Sequence, residues 1–328
     1  NGVVVLSANG VEESRWLIHT NENVEVPENL RESINADINT PDKLKEAKTF
    51  DLSFAIALDK NSKLKRLERE ESVIYTYLPT SFRFGSEGFP FLVNANFITD
   101  AGRQQLHKDS EWNKLIFSKI PSEFLLWIKE ISSVYRNYWE VLPEKSYGRS
   151  NALETIYAEN MEKAINEIAF IPSLKNGMDK LLASEAFMDR MSISDSISVD
   201  ALVCHINRTY TRTFDANNQI ENVWKGSRIL NRYGVFIFDK QKLKSLFEDE
   251  CAFESITPEF NAKLIKFLFE YYSQNRSEQE ELISVLKTTR FLLDESGVLC
   301  MPNELFFPSA YKEQNDFDED AKILHKEI

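Results

Sequence analysis

The feature that most constrains the fold is an alternation of apolar and polar residues between positions 50 and 58. The apolar positions are Phe50, Leu52, Phe54, Ile56 and Leu58. Successive side chains of a β-strand point to opposite faces of the sheet, so a period of two predicts a strand with one buried face. Asp51 and Ser53 fall on the opposite face. The first part of the chain is therefore predicted to contain a sheet that is covered on one side.

Neighbouring segments predict further strands. Val73–Leu78 is a predicted strand that Pro79 halts, and residues 89–97 alternate in the same manner. Asn94 and Asn96 share one face of the latter strand, and since Asn is depleted in strands, that face is expected to be polar and suited to bracing the loop that follows. An Asn-Gly pair between two apolar runs near the start of the chain predicts a hairpin.

Helices follow these strands. Asp109-Ser110 is a predicted N-cap for a helix over residues 111–120. Pro121 is expected at the first position of the next helix, because its missing amide hydrogen is tolerated there. That second helix has a broad apolar face and is predicted to end before Pro143.

The pattern predicts an α+β fold in two parts. Residues 1–145 are predicted to form an α/β domain, with a mixed sheet and flanking helices, that ends in the polar segment 144–150. Residues 151–311 are predicted to form a mainly helical module with short hairpins. Residues 312–328 are charged and poor in apolar groups, which is typical of a polar tail or linker.

Composition limits the partners. The chain has 328 residues, with 39 Lys and Arg against 52 Asp and Glu, which gives a net charge of −13. This acidity repels phosphate backbones and anionic lipids, so general coating of nucleic acid is disfavoured. No apolar run is long enough to span a bilayer and no signal peptide is recognisable, so no membrane partner is expected and a cytoplasmic location is predicted. The chain begins with Asn, which favours a segment cut from a longer protein.

Motifs of self-sufficient enzymes are not found in the sequence. There is no glycine-rich phosphate loop, no nucleophile elbow and no HExxH metal motif. Cys204, Cys251 and Cys300 are far apart and are interpreted as reduced core residues. The adjacent Cys204 and His205 point their side chains apart, which disfavours a nucleophile–base pair. No cofactor and no metal site are therefore predicted within this chain.

A basic segment lies between residues 204 and 244. Arg208 and Arg212 are spaced to share one helical face, as are Arg228 and Arg232. One interpretation is a partner surface for a nucleic acid or an acidic protein. The other, which we favour, is ordinary surface charge paired with the acidic remainder of the chain.

Residues 51–117 resemble a known family. The likeness rests on Tyr77–Thr80, Phe89–Phe97, Arg103 and Glu111–Asn113, with weaker echoes at Phe170–Pro172 and Phe291–Pro308. These residues are similar to the segment that follows the nucleotide-binding domain in sacsin-like proteins. Sacsin-like proteins are a subgroup of the ATPase class that also contains gyrase, the heat-shock chaperone, histidine kinases and MutL.

The resemblance implies that residues 1–145 form a transducer-like domain with a coupling role. In this class the segment after the nucleotide-binding domain contributes a basic residue that reaches the terminal phosphate of ATP, where cationic groups stabilise developing charge. Arg103 lies at the corresponding place, in a loop between a strand and a helix. Gln105 and His107 lie near the position of a second polar group of that site. ATP and Mg²⁺ are expected for the parent protein, with the upstream nucleotide-binding domain and other proteins as partners.

Two other functions fit the sequence. One is a non-enzymatic interaction scaffold that keeps the fold without nucleotide coupling. The other is a component of a bacterial phage-defence or restriction system with a role linked to nucleic acid, for which the basic segment is the only internal support. The resemblance favours the coupling role, in which this chain alone is not an enzyme and its parent is an ATPase.

Overall fold

The structure is a computed structural model that describes residues 2–8, 11–274, 279–306, 322–325 and 328. The predicted α+β class, with a mixed sheet and several helices, is confirmed. Two compact units divide the chain, and both are discontinuous. The first unit comprises Asn1–Pro172, Gly177–Ser184 and Arg228–Gly234, and the second comprises Ser173–Asn176, Glu185–Ser227 and Val235–Ile328.

The first unit is built on a seven-stranded mixed sheet. Its elements in chain order are β1 (Gly2–Ala8), β2 (Val11–Glu25), α1 (Glu28–Ala36), α2 (Asp42–Lys45), β3 (Thr49–Leu58), β4 (Leu64–Lys65), β5 (Ile74–Thr76), β6 (Leu78–Pro79), β7 (Leu92–Asn94), α3 (Glu111–Ile131), α4 (Ala152–Glu167), β8 (Ile171–Pro172) and β9 (Lys180–Leu181). The strand order is β1-β2-β3-β7-β5-β6, with β4 also paired to β3. Only the β5–β7 pairing among these is parallel, whereas β8 and β9 form a separate antiparallel pair.

The alternation at residues 50–58 forms β3, which lies in the middle of the sheet. Its even-numbered residues are buried, and Leu52, Phe54 and Ile56 are at most 1% exposed. Helix α3 covers this face. Phe124 of α3 stacks on Phe91 with the ring centroids 3.8 Å apart, and both rings meet Phe54 edge-on. The covered face of the sheet is therefore an aromatic layer.

Pro121 lies inside α3, where the sequence predicts the start of a separate helix. The helix is continuous from Glu111 to Ile131, with its N-cap at Ser110 as predicted. Proline removes one backbone hydrogen bond, but the apolar residues on both sides of it, Phe117 and Phe124, are completely buried. Packing on the sheet therefore holds one helix together, and it ends at Ile131 well before Pro143.

The predicted strand Val73–Leu78 is a tight hairpin in the structure. The chain reverses at Tyr77, whose φ is 63°, so β5 and β6 pair with each other on either side of it. Pro79 therefore does not halt a strand but belongs to the returning one.

The first unit extends past the predicted boundary at residues 144–150. Helix α4 packs on α3, and Tyr147 lies in an aromatic cluster with Phe84, Phe89 and Tyr157 at centroid distances of 5.1 to 5.6 Å. The polar segment is therefore anchored by one buried ring. Residues 145–172 accordingly belong to the first unit.

The second unit surrounds a small parallel sheet. Its elements are β10 (Phe187–Asp189), α5 (Ser194–Ile197), α6 (Val199–Tyr210), β11 (Gln219–Ile220), α7 (Ser227–Tyr233, mostly assigned to the first unit), β12 (Phe236–Phe238), α8 (Lys240–Phe247), α9 (Pro258–Gln274), α10 (Gln279–Leu286), β13 (Leu292–Leu293) and β14 (Leu299–Cys300). The sheet order is β11-β10-β12, with both pairings parallel. Strands β13 and β14 form an antiparallel hairpin, in keeping with the short hairpins expected in this part of the chain.

The predicted tail 312–328 lies mostly outside the described residues. Of the part that is described, Ile323 pairs with Phe306 and Leu324 pairs with Asp294 as isolated bridges. The His325 amide also donates to the Leu293 carbonyl at 3.0 Å. Residues 322–325 are therefore hydrogen-bonded to the β13–β14 hairpin.

Candidate functional site

Residues 98–107 form a short hairpin after β7, which we call the Arg103 hairpin. The amide of His107 donates to the carbonyl of Ile98 at 3.1 Å and closes the hairpin. Asp100 folds the tip, because its carboxylate and its carbonyl accept backbone amides from within the turn. The loop between β7 and α3, in which the sequence places Arg103, is therefore an ordered turn.

Arg103 lies at the tip of this hairpin in a left-handed backbone conformation, with φ at 55°. Its amide donates to the Asp100 carbonyl at 3.0 Å, and its carbonyl accepts from the Ser81 amide at 3.1 Å. The side chain is half-buried, and Nη2 donates to the Thr76 carbonyl. Nε is buried and has no hydrogen-bond partner among the described residues. The guanidinium is thus fixed at one end and retains a donor without an acceptor.

Asn113 of α3 holds the Arg103 hairpin through hydrogen bonds of its side chain. The side chain is completely buried, and its amide group donates to the carbonyls of Ile98 at 2.8 Å and His107 at 3.0 Å. Its Oδ1 accepts from the Ile98 amide at 2.9 Å. One side chain therefore holds both ends of the hairpin and ties them to the helix.

The start of α3 is itself held by a residue that the sequence does not single out. Asp37, at the end of α1, accepts the Glu111 amide at 2.9 Å and the Thr40 hydroxyl at 2.7 Å. Burial alone raises the pKa of Asp37, but these hydrogen bonds outweigh it and bring the pKa below its ordinary value. No local pattern marks such a contact, because Asp37 and Glu111 are 74 positions apart.

The two asparagines of the predicted polar strand face have separate roles. The Asn94 side chain accepts from the Tyr77 amide at 2.9 Å and stabilises the turn between β5 and β6. The Asn96 carbonyl accepts from the indole nitrogen of Trp112 at 2.9 Å. They therefore brace the surroundings of the Arg103 hairpin instead of contacting its tip.

The structure brings Arg103, Gln105 and His107 into one hairpin, but they have different surroundings. Gln105 is exposed and lines a cleft of about 460 Å³ whose wall also includes Arg69 and Lys108. His107 is half-buried, and its backbone takes part in closing the hairpin. Of the three residues predicted for the site, Arg103 has a side chain that is held by a hydrogen bond to Thr76 and that keeps a buried donor without an acceptor among the described residues.

The basic segment is divided between the units. Arg208 and Arg212 belong to the second unit, whereas Arg228 and Arg232 belong to the first. The prediction that Arg208 and Arg212 share a helical face is wrong, because α6 ends at Tyr210 with left-handed Thr211 as its C-cap. Arg228 and Arg232 do lie one turn apart on α7.

Arg208 and Arg232 of this basic segment form ion pairs with acidic residues. Arg208 contacts Asp249 at 2.5 Å, and Arg232 contacts Glu144 at 2.7 Å. Arg212 lies over the ring of Phe236, at 5.8 Å from its centroid. These contacts favour the interpretation as ordinary surface charge over a nucleic-acid surface.

The cysteines differ from their predicted burial. Cys204 and Cys251 are exposed, while Cys300 is buried as predicted. Helix α6 turns Val203 and His205 inward, so Cys204 falls on its outer face. The expectation that Cys204 and His205 point apart is therefore confirmed, although Cys204 is not a core residue.

His205 is the centre of a buried polar network in the second unit. Its Nδ1 lies 2.8 Å from an Asp249 carboxylate oxygen, and its Nε2 lies 3.3 Å from the Ser245 hydroxyl. That hydroxyl already donates to the Lys242 carbonyl, and the His205 side chain is completely buried. The sequence of contacts from Asp249 to His205 to Ser245 resembles the triad of a serine hydrolase. A fully buried imidazole cannot reach a substrate, so we interpret the network as structural.

We expect this network to make the second unit less stable at pH 5 than at pH 7. Burial lowers the pKa of His205 below its ordinary value of 6.5, although the hydrogen bond with Asp249 opposes this. The unfolded chain therefore binds the proton more readily, and stability falls as the pH drops below 6.5 towards the folded-state pKa. Urea unfolding at both pH values measures the effect. His205→Gln should flatten the dependence of the second unit, His107→Gln should not, and equal slopes in the two variants would contradict the expectation.

Among the described residues, no group of three or more His, Cys, Asp and Glu side chains could hold a metal ion. None of the described helices is long and apolar enough to cross a membrane.

Comparisons with models of protein families, with curated proteins and with solved structures found no match.

Proposed function

We propose that this chain is a coupling segment of a larger sacsin-like, chaperone-type ATPase. In this proposal Arg103 contacts the terminal phosphate of ATP held by an upstream nucleotide-binding domain. The observation that carries the proposal is the buried Nε of Arg103, which has no acceptor among the described residues. An unsatisfied buried donor costs about 1–3 kcal/mol, so a shift of the half-buried side chain that brings this nitrogen to a phosphate oxygen of the partner domain would remove that cost.

The backbone of Arg103 supports the same role. A non-glycine residue in the left-handed region costs on the order of 1–3 kcal/mol, and such conformations cluster at functional sites. Here the Ser81 and Asp100 contacts hold the conformation, and Asn113 holds the hairpin. A cation carried on an ordered turn is already placed near the position where phosphate charge develops.

ATP and Mg²⁺ belong to the nucleotide-binding domain in this proposal. When bound there, they supply the phosphoryl chemistry, and this chain supplies one cation and the connection to the rest of the protein. The role places the protein in the cytoplasm, where ATP is present and where Cys204, Cys251 and Cys300 remain free thiols.

Replacing Arg103 in the parent ATPase tests the proposal. Arg103→Ala is expected to lower the rate of ATP hydrolysis by about 100-fold or more, the usual effect of removing a group that stabilises transition-state charge. Arg103→Lys should retain more activity, because it keeps the charge but not the planar donors. Steady-state phosphate release measures both.

Arg149→Ala is the matched control, because Arg149 is an exposed arginine of the same unit. Its turnover should equal that of the unchanged protein. Unchanged turnover in Arg103→Ala would contradict the proposal, as would micromolar binding of ATP to residues 1–328 alone in a calorimetric titration.

A non-enzymatic interaction scaffold is the second candidate. The observation that favours it is the bond from Arg103 Nη2 to the Thr76 carbonyl, since this bond gives the arginine a structural role within the unit. Under this candidate, Arg103→Ala lowers the midpoint of unfolding of the first unit while the ATP turnover of the parent stays unchanged.

A further inference from the structure

A second polar cavity lies in the first unit, between β2, the end of α3 and the start of β9. Its volume is about 500 Å³, within the usual range for small-molecule sites. Its wall includes His19, Trp127, Lys129, Ser133 and Lys180. We call it the His19 cavity. It is separate from the Arg103 hairpin and independent of the proposed function.

His19 is a buried polar group within this wall. It is 8% exposed, and its ring stacks on Trp127 at a centroid distance of 5.2 Å. Its Nδ1 has no hydrogen-bond partner among the described residues. Burial lowers the pKa of His19 below its ordinary value, so the ring is neutral at pH 7 and can donate from one nitrogen. A neutral imidazole without a partner at this depth points to a ligand.

Positive charge converges on the same cavity. The ammonium of Lys180 is positioned by the Ser133 hydroxyl and by the Gly177 carbonyl. Burial lowers the pKa of Lys180, and the nearby charges of Arg136 and Lys129 lower it further. Glu130 is the acidic side chain among the residues of the wall. Cations that repel one another in a partly buried site are relieved by an anion.

We propose that the His19 cavity binds the phosphate group of a small phosphorylated molecule. Lys180 and Lys129 neutralise the phosphate, and His19 donates to it or to the group that carries it. The volume of the cavity leaves room for more than a phosphate ion alone. A nucleoside monophosphate, which carries its phosphate on a larger organic group, is therefore a fitting probe.

Proton NMR of the histidine rings tests this directly, because the chain has only four histidines. Inorganic phosphate or adenosine monophosphate is added at constant ionic strength, with sodium chloride as the reference. The Cε1 proton of His19, assigned from the His19→Gln spectrum, is expected to shift in a saturable way while the other three stay in place. Tighter binding of the nucleotide than of inorganic phosphate would identify an organic ligand, and equal binding would identify a site for the phosphate group only.

Lys180→Met is expected to weaken the affinity by about tenfold or more, the usual effect of losing a charged hydrogen bond. Lys129→Met should weaken the affinity less than Lys180→Met. Because Lys129 is exposed, this variant is expected to fold normally and provides a second test if Lys180→Met fails to fold. Lys60→Met, in an exposed turn, is the control and should change nothing. Absence of a saturable His19 shift with both probes, or equal affinity in Lys60→Met and both cavity variants, would overturn the proposal.

Discussion

Phe124→Ala should destabilise the first unit by about 3–5 kcal/mol, the usual cost of removing a large aromatic side chain from a core. Phe124 is completely buried. Its ring stacks on Phe91 and meets Phe54 and Trp127 edge-on, so the substitution removes contacts with three aromatic neighbours at once. The helix that carries it is fixed along its length, so the cavity should collapse only in part. Urea unfolding followed by tryptophan fluorescence measures the loss.

Leu126→Ala is the matched control for this substitution. Leu126 is two positions along the same helix, but it is 43% exposed. Its truncation should cost less than about 1 kcal/mol, because surface substitutions remove little packing. Similar losses for the two variants would show that α3 does not pack on the sheet through Phe124.

Asn113→Ala is expected to destabilise the first unit by about 1–3 kcal/mol. The substitution leaves the Ile98 amide without its acceptor, whereas the carbonyls of Ile98 and His107 each lose one donor and keep the amides of His107 and Ser110. An unsatisfied buried group costs about 1–3 kcal/mol. The Arg103 hairpin should also open more often. Hydrogen exchange at the amide of His107, which closes the hairpin, should therefore become faster.

Asn160→Ala separates this effect from the general loss of an asparagine. Asn160 lies on α4, and its side chain donates to the Ile156 carbonyl one turn back. Its replacement should cost less than about 1 kcal/mol and leave exchange in the hairpin unchanged. If Asn113→Ala left the exchange at His107 unchanged, Asn113 would not be the brace of the hairpin.

The strands with a clear period could be predicted from the sequence. Residues 50–58 form β3 because half of their side chains enter one core, and this burial is what imposes the alternation. The parallel sheet of the second unit could not be predicted. Its strands β10, β11 and β12 have two or three residues each, too few to display a period.

Elements that depend on distant contacts were the ones predicted wrongly. Pro121 is a local signal for the start of a helix, and packing of both adjoining turns overrides it. The reversal at Tyr77 is stabilised by Asn94, which is 17 residues away. Of the candidate site, the sequence indicates Arg103 and its hairpin, but the buried Nε and the three bonds from Asn113 follow only from the folded chain.

The discontinuity of the two units has a consequence for how the chain can be divided. The backbone passes between units after residues 172, 176, 184, 227 and 234. The last segment of the first unit, Arg228–Gly234, contains Tyr233. The Tyr233 hydroxyl donates to the Pro143 carbonyl at 2.7 Å, and its ring packs edge-on against Phe170. A polypeptide that stops at residue 172 lacks this buried tyrosine as well as β9. No single cut of the chain therefore yields either unit with all of its segments.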